Sequence, residues 1–262
     1  MTSVSNVAIG ARMAGAAASM ARHGMNEAIA RLSTGKRAMY GGDAAGQAMA
    51  NEIKSKGLSY GVAARNAEDG ISVAQTIESA LMEIANLAVR LRELAIQADN
   101  ATFQSTTDVA ALDAEAAAIT KTIEAISTET KFNGVAVLSA SDQNFTIGVT
   151  DAGDLTTITS KGIADPSATT AAAGAETQAD TALGEVGEAL GNIAAAITSL
   201  KSRQAVAYSN SANMLAAASR LQDTDFAASS ANLAKFSILN QSAMPMVAQA
   251  NQAQSAVLAV LQ

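Results

Sequence analysis

Asn66-Ala67-Glu68-Asp69-Gly70-Ile71-Ser72-Val73-Ala74-Gln75-Thr76-Ile77 opens a stretch that continues through Leu81, Ile84, Ala88, Leu91, Ala95 and Ala98 to Asn100. From Ala74 its apolar positions advance alternately by three and four residues: Ala74, Ile77, Leu81, Ile84, Ala88, Leu91, Ala95, Ala98. That spacing is a heptad seam. It predicts one long helix packed along its whole length, about 50 Å at 1.5 Å per residue. Such a helix needs partners of similar length, so the rest of the chain is read for them.

The composition is that of a helical protein. The chain has 262 residues, about a quarter of them Ala, with only two Pro and 3% aromatic residues. Few side chains are large enough to fill a thick globule, whereas a narrow Ala/Leu/Ile seam between helices needs none. The 49% hydrophobic content is mostly Ala, and no stretch approaches 20 strongly apolar uncharged residues, so no membrane insertion is expected. There is no Cys, which excludes disulfides and thiolate chemistry. Met1-Thr2-Ser3-Val4-Ser5-Asn6 carries no basic region ahead of an apolar core, so no cleaved signal peptide is expected.

Charge is uneven. Residues 1–41 hold Arg12, Arg22, Arg31, Lys36 and Arg37 against Glu27, whereas residues 222–262 hold only Lys235 against Asp223 and Asp225. The formal charge of the whole chain is −7, so the middle is acidic and repels nucleic acid and anionic membrane.

Further seams lie on either side of the first. Val4, Val7, Ala11, Ala14, Ala18, Ala21, Met25, Ala28 and Leu32 form an Ala-rich one, weak alone because Ala buries little area. Gly35 is read as its C-terminal cap, Gly41-Gly42 as a turn, and Asp43 as the N-cap of a helix starting at Ala44, irregular around Gly57 and Gly61. Ser105-Thr106-Thr107-Asp108 opens another helix with the seam Val109, Leu112, Ala116, Ile119, Ile123, Ile126. The period then changes. Phe132-Asn133-Gly134-Val135 carries a turn signal. Phe145–Thr150 and Leu155–Thr159 alternate as strands around Asp151-Ala152-Gly153-Asp154, which together predicts a small β-hairpin at about 133–160. Residues 161–180, around Pro166, read as a linker.

Helical order is expected to return at residue 181, with the seam Leu183, Val186, Leu190, Ile193, Ile197, Leu200, Gln204, Ala207, Ser211, Met214, Ala218 and Leu221. After Gln222-Asp223-Thr224-Asp225 it resumes as Phe226, Leu233, Phe236, Asn240, Val247, Val257 and Leu261, with Pro245 inside it, where Pro costs about 3 kcal/mol or bends the helix. The economical fold is palindromic: residues 44–130 bundle with 181–221, and residues 1–34 pair with 226–262. The fold class is mainly α, an elongated antiparallel helical bundle or coiled coil with a small hairpin.

Catalytic and cofactor signals are absent: no phosphate loop, metal-ligand cluster or nucleophile motif occurs, so no enzyme and no cofactor is expected. His23, the single His, reads as a polar helix position. The acids Asp108, Asp113, Glu115 and Glu124 fall opposite their helix's seam, as a solvated face. Met13, Met20, Met25, Met39, Met244 and Met246 read as seam filling. The Ser/Thr residues of 139–170 are candidate glycan acceptors.

The chain resembles bacterial flagellin. The resemblance is carried by Ala30-Arg31-Leu32-Ser33-Thr34-Gly35, by Asp43-Ala44-Ala45-Gly46-Gln47-Ala48-Met49-Ala50-Asn51, by Arg65 through Gln75, by Leu91 through Gln97, by Phe132-Asn133-Gly134-Val135, by Ser219 through Phe226, and by Gln249-Ala250-Asn251-Gln252, in that family's order and spacing. It is strong over about 28–138 and 215–262, architectural over 140–214 and weak over 1–27. The polar start usual in the family is missing.

The resemblance implies a structural subunit that polymerises into the flagellar filament for motility, exported without a cleaved signal peptide and located outside the cell. It implies an inner tube of paired terminal helices (1–41 and 222–262), a surrounding bundle (42–221), and no large outer domains. A hook–filament junction protein or a non-polymerising flagellin-like surface protein is the alternative. Implied partners are other copies of the chain, an export chaperone, filament cap and hook-junction proteins, and a host flagellin-sensing Toll-like receptor. The family's contact motif stands here as Arg90-Leu91-Arg92-Glu93-Leu94-Ala95-Ile96-Gln97. Because Leu91 and Ala95 belong to the seam, Arg90, Leu94 and Gln97 are expected on an accessible stripe beside it. The other candidate contact residues are Arg31, Asp43, Asn66, Asp69, Gln249 and Asn251.

Overall fold

A computed structural model describes residues 2–37, 43–100, 105–163 and 171–260. In order these form α1 (Thr2–Thr34), α2 (Ala44–Ala98), α3 (Thr106–Glu129), β1 (Lys131–Phe132), β2 (Val135–Ala136), β3 (Gln143–Gly148), β4 (Leu155–Ser160), α4 (Glu176–Gln222) and α5 (Phe226–Val260). The protein is mainly α, with two small antiparallel hairpins, β1–β2 and β3–β4. Two compact units are present. One comprises residues 1–55 and 214–262, the other residues 56–213. The expectations on Val4, Val7, Met39, Gly41, Gly42, Val257, Leu261 and the segment around Pro166 fall outside the residues or side chains described.

In the second unit the seam of α2 is the core. Ala74, Ile77, Leu81, Ile84, Ala88, Leu91, Ala95 and Ala98 are all buried, and α3 and α4 bring Ile119, Ile123, Val186, Ile193 and Leu200 into the same cluster. α4 runs antiparallel to α2. Ser211 Oγ donates to the Gly57 carbonyl at 2.7 Å, Gln204 and Tyr208 reach Glu68, and Arg92 reaches Glu176 and Asp180 at the other end. The helix is continuous through Gly57 and Gly61, where an irregularity was expected, because α4 approaches closely there and supplies packing that offsets the low helix propensity of Gly.

Two further expectations are corrected here. α4 begins at Glu176 rather than 181, because Ala172, Ala175, Ala179 and Ala182 are buried and the Ala172 amide donates to Asp113 Oδ1 at 2.7 Å. Asp113 is therefore a tether for the chain entering α4 and not part of a solvated face. The predicted single hairpin is two. Asn133 (φ 48°) and Gly134 (φ 81°) turn their own two-residue ladder, the paired positive φ of a type I′ turn, and Val137 and Leu138 then leave it for the core. β3 and β4 pair from Gln143↔Ser160 to Gly148↔Leu155, and β4 alternates in burial so that Thr156, Ile158 and Ser160 face inward.

In the first unit α1 and α5 pack antiparallel. Ala18, Ala21, Ala28, Ser229 and Ala243 are buried. Gly24 admits the Phe236 ring: a Cβ there would sit 2.5 Å from it, so any larger residue requires the ring to move. Gly35 ends α1 with φ 68°. α5 is helical through Pro245, whose missing N–H leaves one ladder bond unmade. Phe226 is exposed rather than in the seam, since Asp225 caps α5 through the Ala227 and Ala228 amides and fixes the register in which Phe226 starts it. Met13, Met20, Met244 and Met246 are also exposed and fill no seam. Among the described side chains, α1 and α5 bury chiefly one Ala-rich stripe each.

The contact motif brings the clearest correction. Leu94 is fully buried. Val73, Ala80, Leu87 and Leu94 repeat every seven residues as a second stripe flanking the first, and all four belong to or pack against the core. α3 covers that flank, since Arg90 of α2 reaches Glu115 of α3. Leu94→Ala should therefore cost about 2–5 kcal/mol, as for a buried Leu, rather than the few tenths of an exposed one. Urea unfolding followed by circular dichroism measures this, and a change below about 0.5 kcal/mol contradicts the burial.

Candidate functional site

No described group of three or more His, Asp or Glu side chains is arranged to hold a metal ion, and no described helix is long and apolar enough to cross a membrane. The groups that carry the sequence motifs are helix ends and helix flanks. They do not converge on one centre, and each is taken where it lies.

The first cluster is the junction between α1, α2, α4 and α5 in the first unit. Gly35 and Lys36 run antiparallel to Asp223 and Thr224: the Thr224 amide donates to the Gly35 carbonyl at 2.9 Å, and the backbones of Lys36 and Asp223 pair as an isolated antiparallel bridge. The Arg37 amide donates to the Gln222 carbonyl at 2.7 Å. Its guanidinium donates to the Leu221 carbonyl at 3.2 Å and to Asp43 Oδ2 at 2.7 Å. Asp43 in turn accepts from the Gly46 amide at 2.9 Å, as the N-cap of α2. One arginine thus satisfies the last carbonyls of α4 and holds the capping carboxylate of α2, a cation at one helix C-terminus and an anion at another's N-terminus. Sequence reasoning found Asp43 but missed Arg37, whose signal was its place between a helix C-cap and a helix N-cap. Arg31 is half-buried and pairs with Glu27 one turn earlier.

The second cluster is the α2 flank in the second unit. Arg90 is half-exposed; its Nε and Nη2 donate to Glu115 Oε1 at 3.0 and 2.7 Å, and its Nη1 donates to Glu93 Oε2 at 3.1 Å. The Glu115 and Glu93 carboxylates hold the guanidinium above its ordinary value. Gln97 is exposed nearby, while Leu94 lies beneath. The expected three-residue stripe is thus reduced to Arg90 and Gln97, with Glu115 of α3 added.

Asn66 and Asp69 separate. Asn66 Nδ2 donates to the Gly148 carbonyl at 3.2 Å, fastening β3 to α2, while Asp69 is exposed. Beside Asn66, Tyr60 hydrogen-bonds Asp151 in the β3–β4 turn and Tyr208 donates to Glu68 at 2.9 Å. Both phenols are pushed above 10.0, chiefly by these hydrogen bonds to carboxylates. Gln249 lines a groove of about 320 Å³ between α1 and α5, with Gly10, Ala14, Met246, Ala250 and Ala253, and Asn251 is exposed. A second open groove, about 760 Å³, lies between Ser72, Thr76, Ala80 and Glu83 of α2 and Ile126 of α3. His23 is exposed, as a polar helix position.

The Ser105–Asp108 capping box at the start of α3 is complete: the Asp108 amide donates to Ser105 Oγ, and the Ser105 amide and hydroxyl donate to the Asp108 carboxylate. Those hydrogen bonds hold Asp108 below 3.8.

Comparison with known proteins places two family descriptions on the chain. Residues 6–143 match the bacterial flagellin N-terminal helical region, and residues 169–261 match the bacterial flagellin C-terminal helical region. Flagellin 1 of Proteus mirabilis is 45% identical over 126 residues, covering 48% of this chain and 34% of that one. The phase 1 flagellin of Salmonella naestved is 45% identical over 136 residues, covering 50% and 26%. The chain thus spans about a third or less of the length of these curated relatives. A crystal structure of Bacillus cereus flagellin superposes with a TM-score of 0.37 at 24% identity, over 57% of this chain and 88% of that one.

Three titrating groups add a pH dependence to the stability of the second unit. Asp108 is depressed when folded, so its contribution is complete above pH 3.8 and lost as pH falls through its lower folded value. Tyr60 and Tyr208 are raised when folded, so their contribution is complete below pH 10.0 and lost as pH rises through their higher folded values. Thermal melts across pH should show Ser105→Ala removing part of the acid dependence and Tyr60→Phe with Tyr208→Phe removing part of the alkaline dependence. Unchanged profiles contradict these assignments.

Proposed function

We propose that this chain, which belongs to the bacterial flagellin family, is the repeating subunit of a helical homopolymer, the flagellar filament. One observation carries the reading. α1 and α5 pair along a single Ala-rich stripe and leave a second set of large apolar side chains exposed: Ile9, Met13, Met20 and Ile29 on α1, and Ile238, Leu239, Met244 and Met246 on α5. A two-helix pair has no third surface against which to bury them, whereas neighbouring copies of the same pair supply one. In this reading residues 1–41 and 222–262 line the inner tube and residues 42–221 surround it. Arg37 and Asp43 hold the helix ends from which both lead.

The same reading makes the chain an exported, extracellular structural protein with no catalytic role. The family's other partners follow as proposals: an export chaperone, filament cap and hook-junction proteins, and a host flagellin-sensing receptor. For contact with other copies or that receptor, the exposed part of the α2–α3 flank, Arg90, Gln97 and Glu115, is the candidate surface. Asn66, by contrast, is committed within the chain to the Gly148 carbonyl.

Electron microscopy of purified chain added to sheared filament seeds tests the function. Long tubes are expected, and none points instead to a junction-type or surface protein. Deletion of 226–262 should abolish tubes while the helical circular dichroism of the α2–α4 bundle persists; a truncated chain that still sediments as filaments contradicts the reading. Because the α1–α5 seam is mostly Ala, limited proteolysis should trim roughly 40 residues from each end of the free chain and spare them in filaments. Arg90→Ala should leave the fold intact, since its ion pairs are solvent-exposed, and should slow elongation or weaken receptor capture; normal behaviour in both assays makes Arg90 an intrachain brace only.

A further inference from the structure

Of the ten methionines in the chain, four stand well out of the surface of the terminal helices: Met13 and Met20 are each 69% exposed, Met244 50% and Met246 63%. Met25, on the buried stripe of the same helix, is half-buried. Met13 and Met20 are seven residues apart and share a face of α1. Among the described side chains of α1, only Ile9 and Ile29 are comparably large, apolar and exposed. Sulfur thus supplies much of the apolar surface that α1 and α5 offer to anything beyond each other. Thioether reactivity toward two-electron oxidants follows exposure, and the product replaces a flexible apolar side chain by a polar one.

We propose that Met13, Met20, Met244 and Met246 of the unassembled chain are a modification site. Hypochlorous acid, or an equivalent two-electron oxidant, converts them to sulfoxides and so prevents the chain from adding to a polymer. The proposal rests on the filament reading above and concerns free subunits, in which these sulfurs meet solvent. The sulfur lone pair attacks the chlorine of HOCl and hydroxide leaves. Hydroxide then adds at sulfur, chloride departs and a proton is released. The thioether and HOCl become the sulfoxide, H⁺ and Cl⁻, with sulfur losing the two electrons that chlorine gains.

Two physical consequences make this a gate rather than incidental damage. A sulfoxide oxygen in a subunit interface must shed its water without a partner prepared for it, which opposes burial. At Met244 a partner is prepared, but within the same chain: Arg22 Nη2 already stands 3.3 Å from the sulfur. An oxygen added there is a stronger acceptor than the thioether, so the guanidinium turns to its own α5 and is withdrawn from outside contacts.

The test uses the full chain. Free subunits are treated with hypochlorite, quenched with free methionine, mapped by peptide mass spectrometry and added to sheared filament seeds. Seeded elongation is expected to fall roughly tenfold or more as these four sites gain oxygen, and to recover after methionine sulfoxide reductase treatment. A chain carrying Met13→Leu, Met20→Leu, Met244→Leu and Met246→Leu, volume-conserving changes, should elongate equally before and after oxidant. A control with Met49→Leu and Met82→Leu, two exposed methionines elsewhere, should keep the wild-type sensitivity. Oxidised wild type that elongates at the untreated rate overturns the proposal. So does a four-leucine chain that loses its rate as wild type does, or a control that loses its sensitivity. If the four-leucine chain does not elongate at all, reductase rescue of wild type decides: recovery supports the gate and no recovery overturns it. Untreated wild type that never elongates on seeds defeats the filament reading itself, and the gate with it.

Discussion

Everything in the second unit depends on α2 burying more than one stripe. A heptad seam alone makes a helix that pairs; a flanking stripe at the same period makes one that is covered from two sides. Ala74, Ile77, Leu81 and Ile84 form the first, and Val73, Ala80, Leu87 and Leu94 the second. With α4 along one side and α3 along the other, the helix passes Gly57, Gly61 and Gly70 unbroken. Its intrinsic weakness there is offset by neighbours that use the missing side chains: Ser211 Oγ reaches the Gly57 carbonyl, and Ile147 and Leu200 close over Gly70.

The first unit obeys the opposite constraint. Its α1–α5 pair has one stripe of contact, made mostly of Ala, and the area buried per residue is small. Apart from Phe236 against Gly24, many of the large apolar side chains point elsewhere. Under the filament proposal, copies of the same pair supply the surface that this one lacks. The junction at Arg37 fits that economy. It closes with hydrogen bonds to the ends of α4 and α2 rather than with buried surface, so the ends of the chain are registered even where packing is thin.

The polar groups in the second unit mostly fasten elements to α2. Asn66 holds β3, Glu68 gathers Gln204 and Tyr208 of α4, and Arg90 holds α3 through Glu115. Residues that a motif marks for outside contact are thus engaged within the chain, and a substitution at Asn66 or Arg90 first removes a tie to β3 or to α3.

Periodicity and capping chemistry were enough to read the helices, the antiparallel pairing of the chain's ends, the Asp43 and Ser105 caps and the Asn133-Gly134 turn, because these are local or near-local consequences of residue type and spacing. Family membership was equally legible in the motifs from Arg31 to Gln252. What the linear pattern could not decide was which flank of each helix would receive a second neighbour. Leu94 looked accessible because only one seam was counted, and it is buried because α3 lies over it. Met13, Met20, Met244 and Met246 looked like seam filling, and they are exposed because they fall outside the stripe along which α1 and α5 pack. Ala172, Ala175 and Ala179 looked like linker, and they are core because Asp113 captures the Ala172 amide and α4 starts at Glu176. Spacing along a chain specifies a face, whereas the number of elements packed against that face is set only when the whole chain is folded.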